Sequence, residues 1–386
     1  MKQQIIWIVL LLLPYCISAQ NKQANEINTP TIAWDIATLK QVAPLSGSHT
    51  ANYARIIQLS NGSLLCVYES EGGIDCTASN DLGNTWQTPI NITLPEQGVN
   101  MSVPDIIELG DQSLLASFNP RPYKINGNWD TTKHFAIRTK KSYDLGKTWR
   151  DERLVYQASY TLDDGCWEPS QIQLPGGEIQ LFFSNEGIYT TSNEQNISVC
   201  SSMDNGLTWS TKPTIVSFTP KHRDGMPIPI ILQGSQQIVF SIEDNAGGQF
   251  KPSIIRSLQQ HWHKTVGPND AGRNNALVPQ LPDTVYAGAP YLRQLHSGQT
   301  ILSYQSTVHR NRNWQLACMQ VAVGSSNATN FKTADTPFTI PLDKHGLWNS
   351  LCILSDDTII AVTSTNAYGD NTSIWIIKGK LIDKKN

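Results

Sequence analysis

Carboxylates and aromatic rings, rather than histidine or cysteine clusters, carry the chemical potential of this 386-residue chain. Two of the glutamates have settings compatible with acid–base and nucleophilic roles. Glu168 lies between Trp167 and Pro169 in CWEPSQI (166–172), where apolar neighbours favour a protonated acid, and Glu243 follows an apolar run in FSIED (240–244), which would fix its direction. Two carboxyl groups about 5–5.5 Å apart can cleave a glycosidic bond with retention, one attacking the anomeric carbon and the other first donating, then removing, a proton. Carboxylates that close cannot both ionise freely, so one pKa rises toward neutrality. Glu69, Asp105, Glu186 and Asp224 share the predicted face of this pair and could orient substrate, tune a pKa or take a leading role. Trp129, Trp167, Tyr189, Tyr286, Tyr291 and Trp348 fall in or near loops of the same face, where such rings either form sugar-stacking subsites or pack into loops and core. His134, His222 and His345 lack the clustered spacing of a metal site, and no cofactor is implied.

The elements that must position these groups are visible as internal repeats. The octets SNDLGNTW (79–86), SYDLGKTW (142–149) and SMDNGLTW (202–209) match S-x-D-x-G-x-T-W and start 63 and 60 residues apart. In each, Asp and Gly make a tight turn, the hydroxyls bond its backbone, and Trp plugs the space beneath. A second repeat, two apolar strands around a polar turn, occurs six times. Its turn leucines are Leu59, Leu109, Leu174, Leu232, Leu295 and Leu354, at intervals of 50, 65, 58, 63 and 59 residues. About sixty residues suit one four-stranded blade, so the spacing predicts an all-β fold, a six-bladed β-propeller of antiparallel blades, over residues 31–386. If the leucine turns face the bottom, Arg55, Asp105, Glu168, Met226, Pro290 and Trp348 enter from the top. Glu69, Asn119, Glu186, Glu243 with Asp244, Gln305 and Asn366 leave toward it.

Residues 1–19 read as a signal peptide: Lys2, an apolar run from Ile5 to Leu13, and a small residue at Ala19. Residues 20–30 form a polar lead-in. An exported protein follows, secreted, periplasmic or at the cell surface; a lipid anchor at Cys16 is the alternative, disfavoured by the bulk of Pro14 and Tyr15. No later segment is long and apolar enough for a transmembrane helix. A net charge of −3 with scattered basic residues points away from nucleic acid, and a monomer acting on an oligo- or polysaccharide is the expected form. Cys66, Cys76, Cys166, Cys200, Cys318 and Cys352 show no C-x-x-C pattern, so buried thiols or one or two incidental bridges are expected.

The octets with the six hairpins resemble the sialidase superfamily. In that superfamily the Asp boxes are structural and face away from the active site, so the resemblance gives Asp81, Asp144 and Asp204 no catalytic role. CWEPSQI, RDGMPIPI (223–230), FSIED, YAGAPYLRQL (286–295) and LWNSL (347–351) are more similar to glycoside hydrolase family 93, the exo-arabinanases, than to true sialidases. That resemblance implies a retaining six-bladed propeller that releases arabinobiose from α-1,5-linked arabinan, with Glu168 as acid/base, Glu243 as nucleophile and no cofactor. Arg55, Asp105, Trp167, Glu186, Asp224, Tyr286, Tyr291 and Trp348 are the substrate-binding candidates. An exo-α-sialidase is the second reading. It would need Arg55, Arg223 and Arg293 to converge on a carboxylate and Tyr286 or Tyr368 to serve as nucleophile, yet YARII (53–57) lacks the R-I-P form, and Arg293 is expected to lie toward the wrong face. A glycan-binding propeller without chemistry is the third.

Overall fold

A computed structural model describes residues 30–44, 49–257 and 262–382; the expectations for residues 1–19 and for Cys16 lie outside them. The chain folds into six four-stranded antiparallel sheets, as the repeat spacing implies. Blade 1 runs β2 (Ala51–Gln58), β3 (Leu64–Ser70), β4 (Gly73–Ser79) and β5 (Ile90–Thr93) from the inside outward. Blades 2 to 5 repeat this order. The sixth blade takes β22 (Gly346–Ile353), β23 (Ile359–Thr365) and β24 (Ser373–Ile382) from the C-terminal end and β1 (Thr31–Ala43) from the N-terminal end, so the two ends of the chain lock the ring. Among the described residues no helix is long and apolar enough to cross a membrane. All six cysteines beyond Cys16 are buried free thiols.

The Asp boxes turn between the third and fourth strands at the end of the propeller that carries the leucine turns. In the first, Asp81 Oδ1 accepts from the Ser79 hydroxyl (2.8 Å) and the Thr85 amide (2.9 Å), while Oδ2 accepts from the Thr85 hydroxyl (2.7 Å). These bonds, chiefly from Thr85, hold the Asp81 carboxyl down at about 2. Gly83, Gly146 and Gly206 adopt φ of 89°, 86° and 83°, and each packs on the preceding blade, against Ile376, Leu65 and Leu115. The octets are therefore staples between blades. Asp144→Ala is expected to lower the melting temperature by a few degrees and leave turnover unchanged, as measured by thermal unfolding beside an activity assay.

The innermost strands are β2, β6 (Val99–Glu108), β10 (Cys166–Gln173), β14 (Asp224–Ile231), β18 (Ala287–Gln294) and β22. Each breaks register with its neighbour at a β-bulge near its upper end. Six residues before each turn leucine stand Tyr53, Val103, Glu168, Met226, Ala289 and Trp348. All six hold a left-handed backbone, with φ between 47° and 57°. That region is costly for non-glycine residues, and β-branched Val103 suffers most. Side chains from the second strand of the preceding blade secure the bulges: the amides of Tyr53, Val103, Met226, Ala289 and Trp348 donate to Ser364, Glu69, Ser184, Glu243 and Gln305. The bulges turn six consecutive blades inward at one level, which becomes the bottom of the upper funnel.

Candidate active site

Five members of this ring are apolar and pack together as a plug. Tyr53 and Trp348 stack at 4.8 Å, and the Tyr53 hydroxyl reaches Met226 Sδ across the axis at 3.9 Å. Glu168 is the sixth member and the single charged one. Beside it, over blades 3 and 4, opens a pocket of about 220 Å³ walled by Leu162, Asp163, Trp167, Glu186, Gln195 and Arg223, with Glu168 and Glu243 in its lining. The short 3-10 turn Leu162–Asp164 forms its rim. Gly165 is required just after it, because a Cβ there would stand 2.5 Å from the Trp167 indole.

Glu168 Oε2 accepts from the Ser184 hydroxyl at 3.1 Å, and Oε1 faces Arg121 Nη2 at 3.8 Å. Burial raises its pKa, against the opposing pull of Arg121. Glu243 Oε2 accepts the Ala289 amide at 2.9 Å. Burial first, and the Glu168 charge second, push the Glu243 carboxyl from 4.5 up to about 7. The two glutamates thus feel one another and titrate as a pair. Glycines open the space Glu243 occupies: Gly225 is its register partner, and a Cβ on Gly288 would stand 2.6 Å from Glu243 Oε2 and collide with the Tyr286 hydroxyl. Gly288→Ala is therefore expected to displace Glu243 and cut kcat at least tenfold while the protein stays folded, measured by steady-state kinetics with a circular dichroism control.

The other sequence candidates separate. Trp167 and Glu186 reach the pocket wall. Glu186 is held by Arg223, whose Nη2 also donates to Gln195 Oε1 at 2.8 Å. Tyr286 lies beside Glu243, its hydroxyl accepting from Gln305 Nε2 at 2.8 Å, and burial drives its pKa well up. Trp348 belongs to the plug. Arg55 and Asp105, expected at the mouth, do not reach it: aligned on the turn leucines they sit two residues below Glu168. At that level Arg55 lies over the rings of Tyr53 and Tyr291, and Asp105 accepts from Ser170 Oγ (2.9 Å) and the Gln171 amide (3.1 Å) of the next blade. Glu186 and Asn366 likewise lie two residues beyond the capping level of Glu69, Asn119, Ser184, Glu243, Gln305 and Ser364, and Pro290 lies one residue below the ring. Asp224 is completely buried and paired with Arg273, so it faces away from the pocket. Tyr291 is sealed in the core with its hydroxyl on Arg293. Tyr189 stacks on Phe218.

Sequence reasoning missed Arg121 and Trp314. Arg121 donates from Nε to Asn119 Oδ1 at 2.8 Å, lies over the Trp167 ring at 4.9 Å, and places its charge near both Glu168 and Glu69. Its signal was available: Asn119 leaves toward the top face, and Arg121 alternates with it. Among the described residues no group of three or more His, Cys, Asp or Glu side chains is placed to hold a metal ion.

No protein-family model and no curated protein matches the chain. Solved structures share its fold. A protein of unknown function from Dyadobacter fermentans is similar over 90% of this chain and 100% of its own, at 15% identity and a TM-score of 0.67. The family 93 α-L-arabinofuranosidase of Fusarium graminearum, solved with arabinobiose, covers 90% of this chain and 97% of its own at 18% identity and a TM-score of 0.63. The NanB sialidase of Streptococcus pneumoniae covers 91% of this chain and 70% of its own at 12% identity and a TM-score of 0.58. The fold is the six-bladed propeller of the sialidases and of family 93.

Proposed function

We propose that this protein is an exported, exo-acting, retaining glycoside hydrolase that uses Glu168 and Glu243 and releases arabinobiose from α-1,5-linked arabinan. The observation that carries this reading is the pair of electrostatically linked glutamates lining one pocket beside the apolar plug.

In the first step Glu243 attacks the anomeric carbon, the bond to the departing sugar breaks, and Glu168 protonates the leaving oxygen. Water then loses a proton to Glu168 and displaces Glu243. These roles require an ionised Glu243 and a protonated Glu168 when a sugar ring enters. With Glu243 at about 7, ionising it near neutral pH costs little. The active form holds one proton on the pair, so kcat/KM is expected to fall with unit slope as pH rises through about 7, where that proton leaves. A pH-rate profile on a neutral substrate checks this.

A neutral sugar also suits the arginines. Arg55 lies over tyrosine rings, Arg223 is engaged by Glu186, and Arg293 by Tyr291, so the three do not converge. The sialidase reading retains one supporting feature, the closeness of the Tyr286 hydroxyl to Glu243; Tyr368 is occupied with Thr339 and Trp375. Incubation with linear α-1,5-arabinan and, separately, with sialyl-lactose distinguishes the readings. Arabinobiose from the first supports the proposal, free sialic acid from the second replaces it, and binding without cleavage leaves a glycan-binding propeller.

A further inference from the structure

Among the exposed aromatic side chains of the upper face, Trp314 is left unused by the reading above. Trp314 stands in the loop between β19 (Thr300–Ser306) and β20 (Cys318–Gly324) of blade 5, and it is 44% exposed. An indole left half in water is ordinarily mobile or covered. Here its loop is fastened: Arg310 donates to the carbonyls of Leu316 (2.5 Å), Ile340 (3.0 Å), Pro341 (2.7 Å) and Lys344 (2.6 Å), bridging blades 5 and 6. The Asn313 side chain accepts from the Gln315 amide at 3.1 Å and starts the short turn Trp314–Leu316. The ring stands at 6.2 Å from Trp348 and 6.3 Å from Tyr286, both at steep angles. Tyr286 in turn adjoins Glu243.

The carboxyl pair therefore lies between two different surfaces. On the blade 3 and 4 side is the walled pocket; on the blade 5 and 6 side is an exposed indole in a fastened loop, its ring 6.3 Å from that of Tyr286, which adjoins Glu243. With the chain end in the walled pocket, the remainder of the chain leaves on the other side of the pair. We infer that Trp314 is the stacking platform for the departing part of the saccharide, binding the apolar face of the first ring beyond the cleaved bond. This rests on the glycoside hydrolase reading and adds the direction in which the chain lies.

The test compares Trp314→Ala and Trp314→Phe with the unaltered protein on two donors, an arabino-oligosaccharide and an arabinosyl or arabinobiosyl fluoride whose leaving group is a single atom. For Trp314→Ala, kcat/KM on the oligosaccharide is expected to fall tenfold or more through KM, with the fluoride unchanged and Trp314→Phe largely restoring the loss. Equal losses on both donors, or no loss on either, would overturn the platform. Inactivity of the unaltered protein on both donors counts against the arabinan reading instead. The platform is then scored by binding: fluorescence titration of unaltered protein and Trp314→Ala with arabinotetraose and with sialyl-lactose. A saccharide-induced change that vanishes in Trp314→Ala supports it, and identical titrations, or no change with either sugar, refute it.

Discussion

Replacement of Glu243 by Gln is expected to lower kcat on arabinan by at least roughly a thousandfold, and Glu168→Gln to do the same, while both proteins remain folded. The amide keeps the size of the carboxyl and can still accept the Ala289 amide bond that fixes position 243. It cannot attack the anomeric carbon. At position 168 the amide can still meet Ser184 but cannot carry a proton to the leaving oxygen. A second readout separates loss of chemistry from loss of fold. The Glu243 carboxyl is raised from 4.5 to about 7 in the folded chain, so the folded state binds its proton more tightly than the unfolded state does. This group's contribution to stability is therefore present at low pH and lost as pH rises from 4.5 through 7. Glu243→Gln removes that loss, and the variant is expected to exceed the unaltered protein in stability at pH 8, by about 3 kcal/mol at most, with the gain vanishing near pH 4. Denaturant unfolding at the two pH values measures it. A variant that is inactive and also less stable at pH 8 would show that Glu243 serves the bulge rather than the reaction.

The largest stability effect is expected at Arg273, which does not line the pocket. Its guanidinium pairs with Asp224 and, at 2.6 Å, with Asp244, and Nη2 also donates to Ser217 at 2.9 Å. Asp224 is wholly buried, and burial raises its pKa even with Arg273 beside it. Arg273→Met would leave two neighbouring carboxyls without a counter-charge, with Ser217 and the Ala246 amide still donating to them, a loss of about 3–5 kcal/mol. Adding Asp224→Asn should recover a large part of this, because it removes the fully buried charge. Asp224 and Asp244 form the register pair next to Gly225 and Glu243, so the single variant is expected to lose activity below its own unfolding temperature as that strand end loosens. Equal stability of Arg273→Met and unaltered protein in urea would contradict this role.

The architecture was legible because its signals are local and repeated. Each turn leucine marks a strand pair, each octet marks an outer turn, and both survive as written. Placement within the funnel was less legible. Counting strand residues upward from the turns assumes an unbroken pleat, whereas every innermost strand bulges through a left-handed residue just below the mouth. Glu168 and Trp348 were aligned with Arg55 and Asp105, yet they belong to the level above them; this is why Arg55 and Asp105 lie under the plug. Glu243 kept its place because it comes from the unbulged second strand. The ion pairs that withdraw Asp224 and occupy Arg223 join residues tens of positions apart, Asp224 with Arg273 and Arg223 with Glu186, and no spacing rule announces such partners. Trp314 escaped notice because its loop lies outside the hairpin repeat.

The most direct measurement is mass spectrometry of the protein after brief reaction with a slow-turnover 2-fluoro arabinosyl donor, followed by peptide mapping. Mass added as one glycosyl ester on Glu243, and absent in Glu243→Gln, is the expected result. An intact donor with no adduct, or an adduct on Tyr286 or any other side chain, would contradict the proposed role of the Glu168 and Glu243 pair.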